Sequence, residues 1–209
     1  MPSEPRAWSA PGTLVWAAAA FAAGCVPSGR LVTRALTGKS LSALGDGKPG
    51  TANVRRSLGL KPALAVLSLD AGKAFLPAQA ARMAGASDPL VAAIGISAML
   101  GHISVVQGRG AACALGAAYA MDPWMMTIGL FPLAGGGLIH RHAESVAVTA
   151  ALLPLISLAL HRRQPARALG PLAMILVLFA ARLKGSAGAP PPSSPGVAWR
   201  RVWLDRDES

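Results

Sequence analysis

The sequence predicts an all-α fold, a polytopic membrane helix bundle of about seven transmembrane helices. Hydrophobic residues make up 53% of the 209 residues and charged residues only 14%, well below the roughly 25% of an ordinary soluble domain. The apolar residues are gathered into long runs, which short glycine-rich polar loops separate. Because so few charges cannot cover a soluble surface, the runs are expected to lie in lipid.

Each apolar run is expected to form one membrane helix. A helix needs about 20 residues to cross the bilayer core, so the fourth and weakest run either borrows flanking residues or spans only part of the way. Alanine and glycine dominate the runs and aromatic residues are scarce, which favours close helix packing. The runs cover residues 13–29, 60–83, 89–106, 111–121, 123–139, 145–160 and 168–183.

The N-terminus resembles a signal peptide, since Arg6 precedes an apolar run and residues 22–25 read AAGC, a weak lipoprotein cleavage site. The leucine usual at the first position of such a site is missing, and similar runs continue along the chain. A first transmembrane helix is therefore the better interpretation. Cys25 and Cys113 show neither metal-ligand spacing nor a disulfide pattern, and are expected to be small buried helix residues.

The distribution of positive charge predicts the orientation in the membrane. The chain carries 20 Lys and Arg against 9 Asp and Glu, and most of these cations lie between apolar runs, which is not typical of a nucleic-acid interface. More of them fall on the side of the first loop and C-terminus, so this side is expected to be cytoplasmic and the N-terminus external. The majority set is Arg30, Arg34, Lys39, Lys48, Arg55, Arg56, Lys61, Arg109, Arg141, Arg182 and Lys184, and the minority set is Arg6, Arg82, Arg162, Arg163 and Arg167.

The composition divides the chain into a seven-helix membrane domain, residues 1–185, and a disordered, basic cytoplasmic tail, residues 186–209. Residues 189–195 read APPPSSP, which is typical of a linker. Residues 199–204 read WRRVWL and mix aromatic with cationic side chains. This segment is expected either to lie on the anionic membrane surface or to be a simple unstructured tail.

The first loop, residues 44–56, is the richest polar stretch. Its glycines permit positive φ angles and allow backbone N–H groups to face an anion. Lys48 and Arg56 add positive charge, and a guanidinium matches phosphate oxygens. The alternative is a flexible loop that carries ordinary cytoplasmic charge.

Further polar residues interrupt the apolar runs. Asp70 and Lys73 lie three residues apart on one helix face and are expected to form a structural ion pair, because charges inside a membrane are costly unless paired. The predicted topology brings other candidates to one membrane face, as for a site that binds a phosphorylated substrate. These candidates are Asp46, Lys48, Asn53, Arg56, His102, Arg109 and Arg141. No Walker loop, zinc motif or serine elbow is present, and neither a metal nor a cofactor is predicted.

Several motifs resemble the bacterial membrane glycerol-3-phosphate acyltransferase family called PlsY. They are GCVP at 24–27, GDGKPGTANVRRSLG at 45–59, LDAGK at 69–73, LGH at 100–102 and GRGAACALG at 108–116. The resemblance covers about residues 13–183. It implies a seven-helix membrane protein with cytoplasmic site loops. It also implies transfer of an acyl group from acyl phosphate to the 1-hydroxyl of glycerol 3-phosphate, which gives lysophosphatidic acid and uses no coenzyme A, carrier protein or cofactor.

The resemblance also implies roles for individual residues. Asn53 and Arg56 match the first motif, His102 matches the histidine of the second, and Arg109 stands where the family has lysine. Asp46 and His102 are interpreted as catalytic residues, and Lys48, Asn53, Arg56, Arg109 and Arg141 as substrate-binding residues. Glycerol 3-phosphate, acyl phosphate and membrane lipid are the expected partners, and nucleic acid is not one.

The chain departs from the family pattern in several places. Asp46 and Cys25 replace serines, about five residues are missing between His102 and Gly108, and the C-terminal His-Arg-Glu-Asn-type motif is absent. Two alternatives to the enzyme therefore stay open. One is a catalytically degenerate homologue that binds a phosphorylated lipid precursor or a partner enzyme. The other is a small transporter, for which the charges at Asp70 and Lys73 would form part of the path.

Overall fold

The computed structural model describes residues 10–139, 141–185 and 189–205, and the regular structure in these residues is helical. A π-helical turn, His102–Val106, extends the fifth helix, and 3₁₀ turns occupy Leu41–Ala43 and Pro165–Ala168. The α-helices are α1 (Ala10–Gly24), α2 (Ser28–Thr37), α3 (Thr51–Leu58), α4 (Leu60–Met83), α5 (Asp88–Gly101), α6 (Ala111–Met121), α7 (Pro123–Leu138), α8 (His142–Leu160), α9 (Leu169–Lys184) and α10 (Pro195–Leu204).

Every apolar run predicted from the sequence corresponds to a helix, and the all-α membrane bundle is confirmed. The first run differs in its end, because α1 stops at Gly24 and a new helix, α2, begins at Ser28. Pro27 lies between them, where its missing N–H and fixed φ favour a break followed by a new helix start. Two more helices, α3 and α10, lie in segments that the sequence predicted to be a loop and a tail.

Helices α1, α4, α5 and α6 pack closely at glycines, as the composition predicted. A Cβ at Gly24 would lie 2.0 Å from the Ala98 carbonyl oxygen, and one at Gly101 would lie 2.2 Å from that of Phe21, so α1 touches α5 backbone to backbone. On α6, a Cβ at Gly116 would lie 2.0 Å from the Ala71 carbonyl oxygen of α4. Small residues at these crossings let the backbones approach without a side chain between them.

Four helical stretches in the described residues are long and apolar enough to cross a membrane: Gly12–Thr37, Asp88–Val106, His142–Leu160 and Pro165–Lys184. Helix α4 has the length, with 24 residues, but carries charged side chains along it. Helix α6 is apolar but has only 11 residues, or about 16 Å, against a hydrocarbon core of about 30 Å. The number of seven spans stays a prediction.

The bundle has two polar ends. At the first, called the site end, lie the loop before α3, the segment between α5 and α6, the start of α8 and helix α10. At the other, called the opposite end, Asp88 binds both Arg82 and Arg167 at 2.9 and 2.7 Å, and Asp122 binds His161 at 2.5 Å. The same end holds a cavity of about 430 Å³ that Asp88, Asp122 and Arg167 help to line.

The C-terminal segment differs from the disordered tail that the sequence predicted. Ser194 caps α10 by accepting a hydrogen bond from the Val197 N–H at 3.3 Å. Val197 and Arg201 are buried, and the Trp203 ring lies 6.1 Å from that of Phe179 on α9. Of the two aromatic residues that suggested a membrane surface, Trp203 packs against the bundle, whereas Trp199 remains exposed.

Candidate functional site

A small hydrophobic core supports the loop of residues 44–50 at the site end. Leu41 and Val54 are fully buried against Val66 of α4, and Val32 of α2 packs against the same cluster. This core ties α2 and α3 to the first turns of α4, so the polar loop rests on a fixed base. Gly45 and Gly47 turn the loop with φ angles of 57° and 69°, a region that glycine adopts without strain.

The buried amide of Asn53 organises this loop. Its Nδ2 donates to the carbonyl oxygens of Leu44 and Lys48, each at 3.1 Å. Its Oδ1 accepts from the Asp46 N–H at 3.2 Å and from the Ser57 hydroxyl at 3.3 Å. These bonds use both amide hydrogens and both lone pairs of the oxygen. Asn53 therefore acts on the loop itself, whereas the sequence suggested contact with a substrate.

Asp46 is held by two groups on the surface of the loop. Its Oδ2 pairs with the Arg56 guanidinium, and its Oδ1 accepts from the Lys48 N–H at 3.2 Å. The side chains of Arg56 and Asp46 are 57% and 38% exposed, so the pair faces solvent. The Arg56 guanidinium thus balances the negative charge of the Asp46 carboxylate.

The backbone of the loop differs from the anion cradle that its glycines suggested. The N–H groups of Asp46 and Lys48 are bound by Asn53 and Asp46, so the loop satisfies them internally. The start of α3 is better suited to an anion, because no side chain of the described residues caps it at Gly50 and helix N-termini attract negative charge. Within the described part of the chain, the buried Thr51 hydroxyl there has no hydrogen-bond partner. The Gly-Thr pair at 50–51 was the sequence signal for this feature.

Below the loop, Asp70, Lys73 and His102 form a buried polar cluster. The Lys73 Nζ lies 2.6 Å from Asp70 Oδ1 and also donates to the Val26 carbonyl oxygen. The His102 Nδ1 lies 3.8 Å from the same carboxylate. Val66 belongs to the small core that supports the loop, and Asp70 follows it by one helical turn, or about 6 Å. The cluster therefore lies further from the site end than the loop does. It ties α4 to the break between α1 and α2.

His102 connects this cluster to the segment before α6. It lies on the π-helical turn, a distortion that is frequent at functional sites. A Cβ at Gly108 would lie 2.1 Å from its Nε2, so the 107–110 segment rests directly on the imidazole ring. The ring is buried, in contrast to the exposed pair of Asp46 and Arg56.

Arg109 extends from this segment toward the C-terminal helix. Its Nη1 donates to the Arg182 carbonyl oxygen at 3.0 Å and lies 3.2 Å from Asp205 Oδ1. Arg182 is itself buried and donates to the Val202 carbonyl oxygen at 2.6 Å. From the sequence, Arg182 was expected only to be one of the positive charges on the cytoplasmic side. These contacts were not predicted, because they join residues far apart in the chain.

Arg141 lies at the start of α8, where its Nε is 3.4 Å from Glu144 Oε1 and its side chain is 67% exposed. The Nη1 of Arg55 on α3 lies 2.9 Å from the Nε2 of the neighbouring His142. This contact brings the start of α8 beside α3. The described residues contain no group of three or more His, Cys, Asp or Glu side chains that could hold a metal ion.

The structure thus separates the predicted site into four parts. Asp46, Asn53 and Arg56 meet in the loop, while His102 lies beneath it with Asp70 and Lys73. Arg109 binds the C-terminal helix, and Arg141 stands at the rim. Taken together, these features define a class: a multi-pass helical membrane protein that gathers cations around a polar loop at one end.

Comparison with known proteins gives the family. The family model for glycerol-3-phosphate acyltransferase matches residues 14–186. A glycerol-3-phosphate acyltransferase of Geobacter sulfurreducens is 35% identical over 157 residues, which cover 72% of this chain and 80% of the relative. One of Thermus thermophilus is 34% identical over 153 residues, which cover 68% of this chain and 74% of the relative. The chain therefore belongs to the glycerol-3-phosphate acyltransferase family, and the family and enzyme class predicted from its motifs are confirmed.

The fold agrees with this family. The crystal structure of PlsY, an integral membrane glycerol 3-phosphate acyltransferase, in its glycerol 3-phosphate form matches with a TM-score of 0.72 at 23% identity. The match covers 82% of this chain and 88% of that chain. Its lysophosphatidic acid form matches with a TM-score of 0.71. Helix α10 lies beyond the residues that the family model matches.

Proposed function

We propose that this protein transfers an acyl group from an acyl phosphate to the 1-hydroxyl of glycerol 3-phosphate at the cytoplasmic face of a bacterial inner membrane. One observation carries the proposal: in a member of this family, Asn53 fixes a loop that presents Arg56, paired with Asp46, at the surface of the site end. The excess of Lys and Arg at this end supports a cytoplasmic placement, with the N-terminus outside.

The two substrates bring two phosphate groups, and the site end offers cations for both. Arg56 suits one phosphate, together with Lys48 and the uncapped start of α3 at Thr51. Arg109 and Arg141 suit the other, because both guanidinium groups lie at the same end of the bundle. Guanidinium groups form two parallel hydrogen bonds with phosphate oxygens, which fixes both charge and orientation.

The reaction needs little covalent chemistry from the protein. The substrate hydroxyl oxygen attacks the acyl carbon, the bond from that carbon to the phosphate oxygen breaks, and the hydroxyl proton passes to a phosphate oxygen. The products are lysophosphatidic acid and inorganic phosphate. Catalysis then rests on alignment of the two substrates and on neutralisation of charge at the leaving phosphate.

The residues interpreted from the sequence as catalytic take positioning roles in this proposal. Both oxygens of Asp46 are engaged, so the carboxylate orients Arg56. His102 is buried under Gly108 and supports the segment that carries Arg109. Asn53 holds the loop, and the pair of Asp70 and Lys73 holds the helices below it.

The first prediction tests the activity and Arg56 together. Purified protein with palmitoyl phosphate and radiolabelled glycerol 3-phosphate is expected to form labelled lysophosphatidic acid, whereas palmitoyl coenzyme A should not replace the donor. Arg56→Ala should lower turnover at least about a hundredfold, the scale of losing one group that stabilises transition-state charge. Lys39→Ala removes an exposed cation between α2 and the Leu41–Ala43 turn, outside the loop, and should keep full activity.

Other outcomes of this assay separate the alternatives. Binding of labelled glycerol 3-phosphate without product would identify a catalytically degenerate homologue. Flux of glycerol 3-phosphate into proteoliposomes without acyl product would identify a transporter. Equal turnover in Arg56→Ala and Lys39→Ala would remove Arg56 from the site.

A further inference from the structure

The carboxylate of Asp205 lies where an anionic ligand of Arg109 would bind. Its Oδ1 is 3.2 Å from Arg109 Nη1, and the two side chains are 33% and 15% exposed. Asp205 follows α10 with a φ of 52°, in the left-handed region that aspartate enters more readily than most residues. The chain thus turns at this point and places a negative charge on a cation of the proposed site.

The rest of α10 is fixed independently of Asp205. Arg182 donates to the Val202 carbonyl oxygen at 2.6 Å, and Arg201 donates to the Leu183 carbonyl oxygen at 3.1 Å. The Trp203 ring packs near Phe179, and Ser194 caps the helix start. Because these contacts position the helix, the carboxylate of Asp205 can leave Arg109 while α10 stays docked.

The charge of this region favours exchange of one anion for another. The Arg109 guanidinium lies against the Arg182 main chain, and the guanidinium of Arg182 is buried beside it. Poorly solvated cations require an anion nearby. A phosphate monoester carries up to about two negative charges and three acceptor oxygens, whereas a carboxylate carries one charge and two oxygens. Phosphate is therefore the stronger ligand for Arg109.

We propose that Asp205 is an affinity-determining residue that occupies Arg109 in the absence of substrate and is displaced by the phosphate of glycerol 3-phosphate. Its carboxylate competes with this phosphate, which weakens binding of glycerol 3-phosphate and eases release of the phosphorylated product. This role rests on the proposed function in one respect, the assignment of Arg109 to the phosphate of glycerol 3-phosphate. Asp205 lies beyond residue 186, where the match to the family model ends.

The test is the affinity for glycerol 3-phosphate, measured as equilibrium binding of the labelled compound to the purified full-length protein and as KM. Asp205→Asn should lower the dissociation constant and the KM for glycerol 3-phosphate about two- to fivefold, the range set by losing one partly exposed ion pair. Asp88→Asn removes the same charge at the opposite end of the bundle, where it pairs with Arg82 and Arg167, and should leave both constants unchanged. Ser194→Ala removes the helix cap, loosens α10 and should change the constants in the same direction as Asp205→Asn.

The outcomes keep this inference apart from the proposed function. Product formation with an unchanged or weakened affinity in Asp205→Asn would overturn the competition and leave the enzyme intact. Tighter binding in Asp205→Asn without any product would support the competition and overturn the enzyme. Failure of both the parent chain and Asp205→Asn to bind glycerol 3-phosphate would overturn the competition, because Arg109 would then serve no phosphate.

Discussion

At the scale of single residues, Asn53 decides whether the 44–50 loop keeps its shape. Replacing it with alanine would leave the carbonyl oxygens of Leu44 and Lys48 and the Asp46 N–H without the amide that they bind. Ser57→Ala is a matched control, since it removes only one 3.3 Å bond to the same amide.

We expect Asn53→Ala to lose most of the acyltransferase activity and to lower stability by about 1–3 kcal/mol, the cost of leaving buried polar groups unpaired. Ser57→Ala should keep most of the activity. Turnover and thermal unfolding of the purified variants measure both effects. Equal behaviour of the two variants would show that the loop does not depend on Asn53.

At the scale of helices, the contact between α4 and α6 depends on Gly116. A Cβ there would lie 2.0 Å from the Ala71 carbonyl oxygen, a backbone atom that cannot move aside. Gly116→Ala should therefore destabilise the protein by about 1–3 kcal/mol or more. Gly72→Ala is the matched control on α4, because its Cβ would meet only Leu76 Cδ1 at 3.9 Å.

Gly72→Ala should be neutral or stabilising by up to about 1 kcal/mol, because alanine favours a helix over glycine. Thermal unfolding in one detergent compares the two variants. A Gly116→Ala protein as stable as Gly72→Ala would mean that α4 and α6 do not touch at Ala71.

The opposite end of the bundle predicts a pH effect on stability. Burial raises the pKa of the Asp122 carboxyl. The hydrogen bond and charge of His161 lower this pKa, as do hydrogen bonds from the Met125 and Trp124 N–H groups. These effects outweigh burial, so the pKa of Asp122 is lowered overall. A lowered pKa in the folded state stabilises the protein above the unfolded value of about 3.9, and this stability is lost as pH falls through the folded pKa.

Asp122→Asn should therefore be less stable than the parent chain near neutral pH, and the difference should shrink below about pH 4. Unfolding midpoints across pH for the two proteins measure this. A difference that stays constant down to strong acid would show that the ionised carboxylate contributes no stability there.

At the scale of the whole molecule, the sequence predicted the features that depend on local pattern. Apolar runs predicted the helices of the bundle, and the motif at 45–59 predicted the family. Helices α2 and α3 were missed because their residues are polar or glycine-flanked, and their helical form depends on packing around Leu41 and Val54.

The site was predicted less completely, because its contacts join distant parts of the chain. No local pattern shows that Asn53 uses its whole amide on the loop, or that Arg109 meets a carboxylate 96 positions later at Asp205. Likewise, the composition of the tail is typical of disorder. Its helix depends on contacts that Trp203 and Arg201 make with α9, and no local pattern shows these contacts.

The backbone contacts at Gly24, Gly101 and Gly116 also restrict how the molecule can move. Where two main chains touch, no side chain can change rotamer to let one helix slide past the other. An alternating-access cycle needs one half of a bundle to rock against the other, and these crossings pin α1, α4, α5 and α6 together. A rocking motion that divided the bundle between these four helices would have to break main-chain contacts at all three glycines.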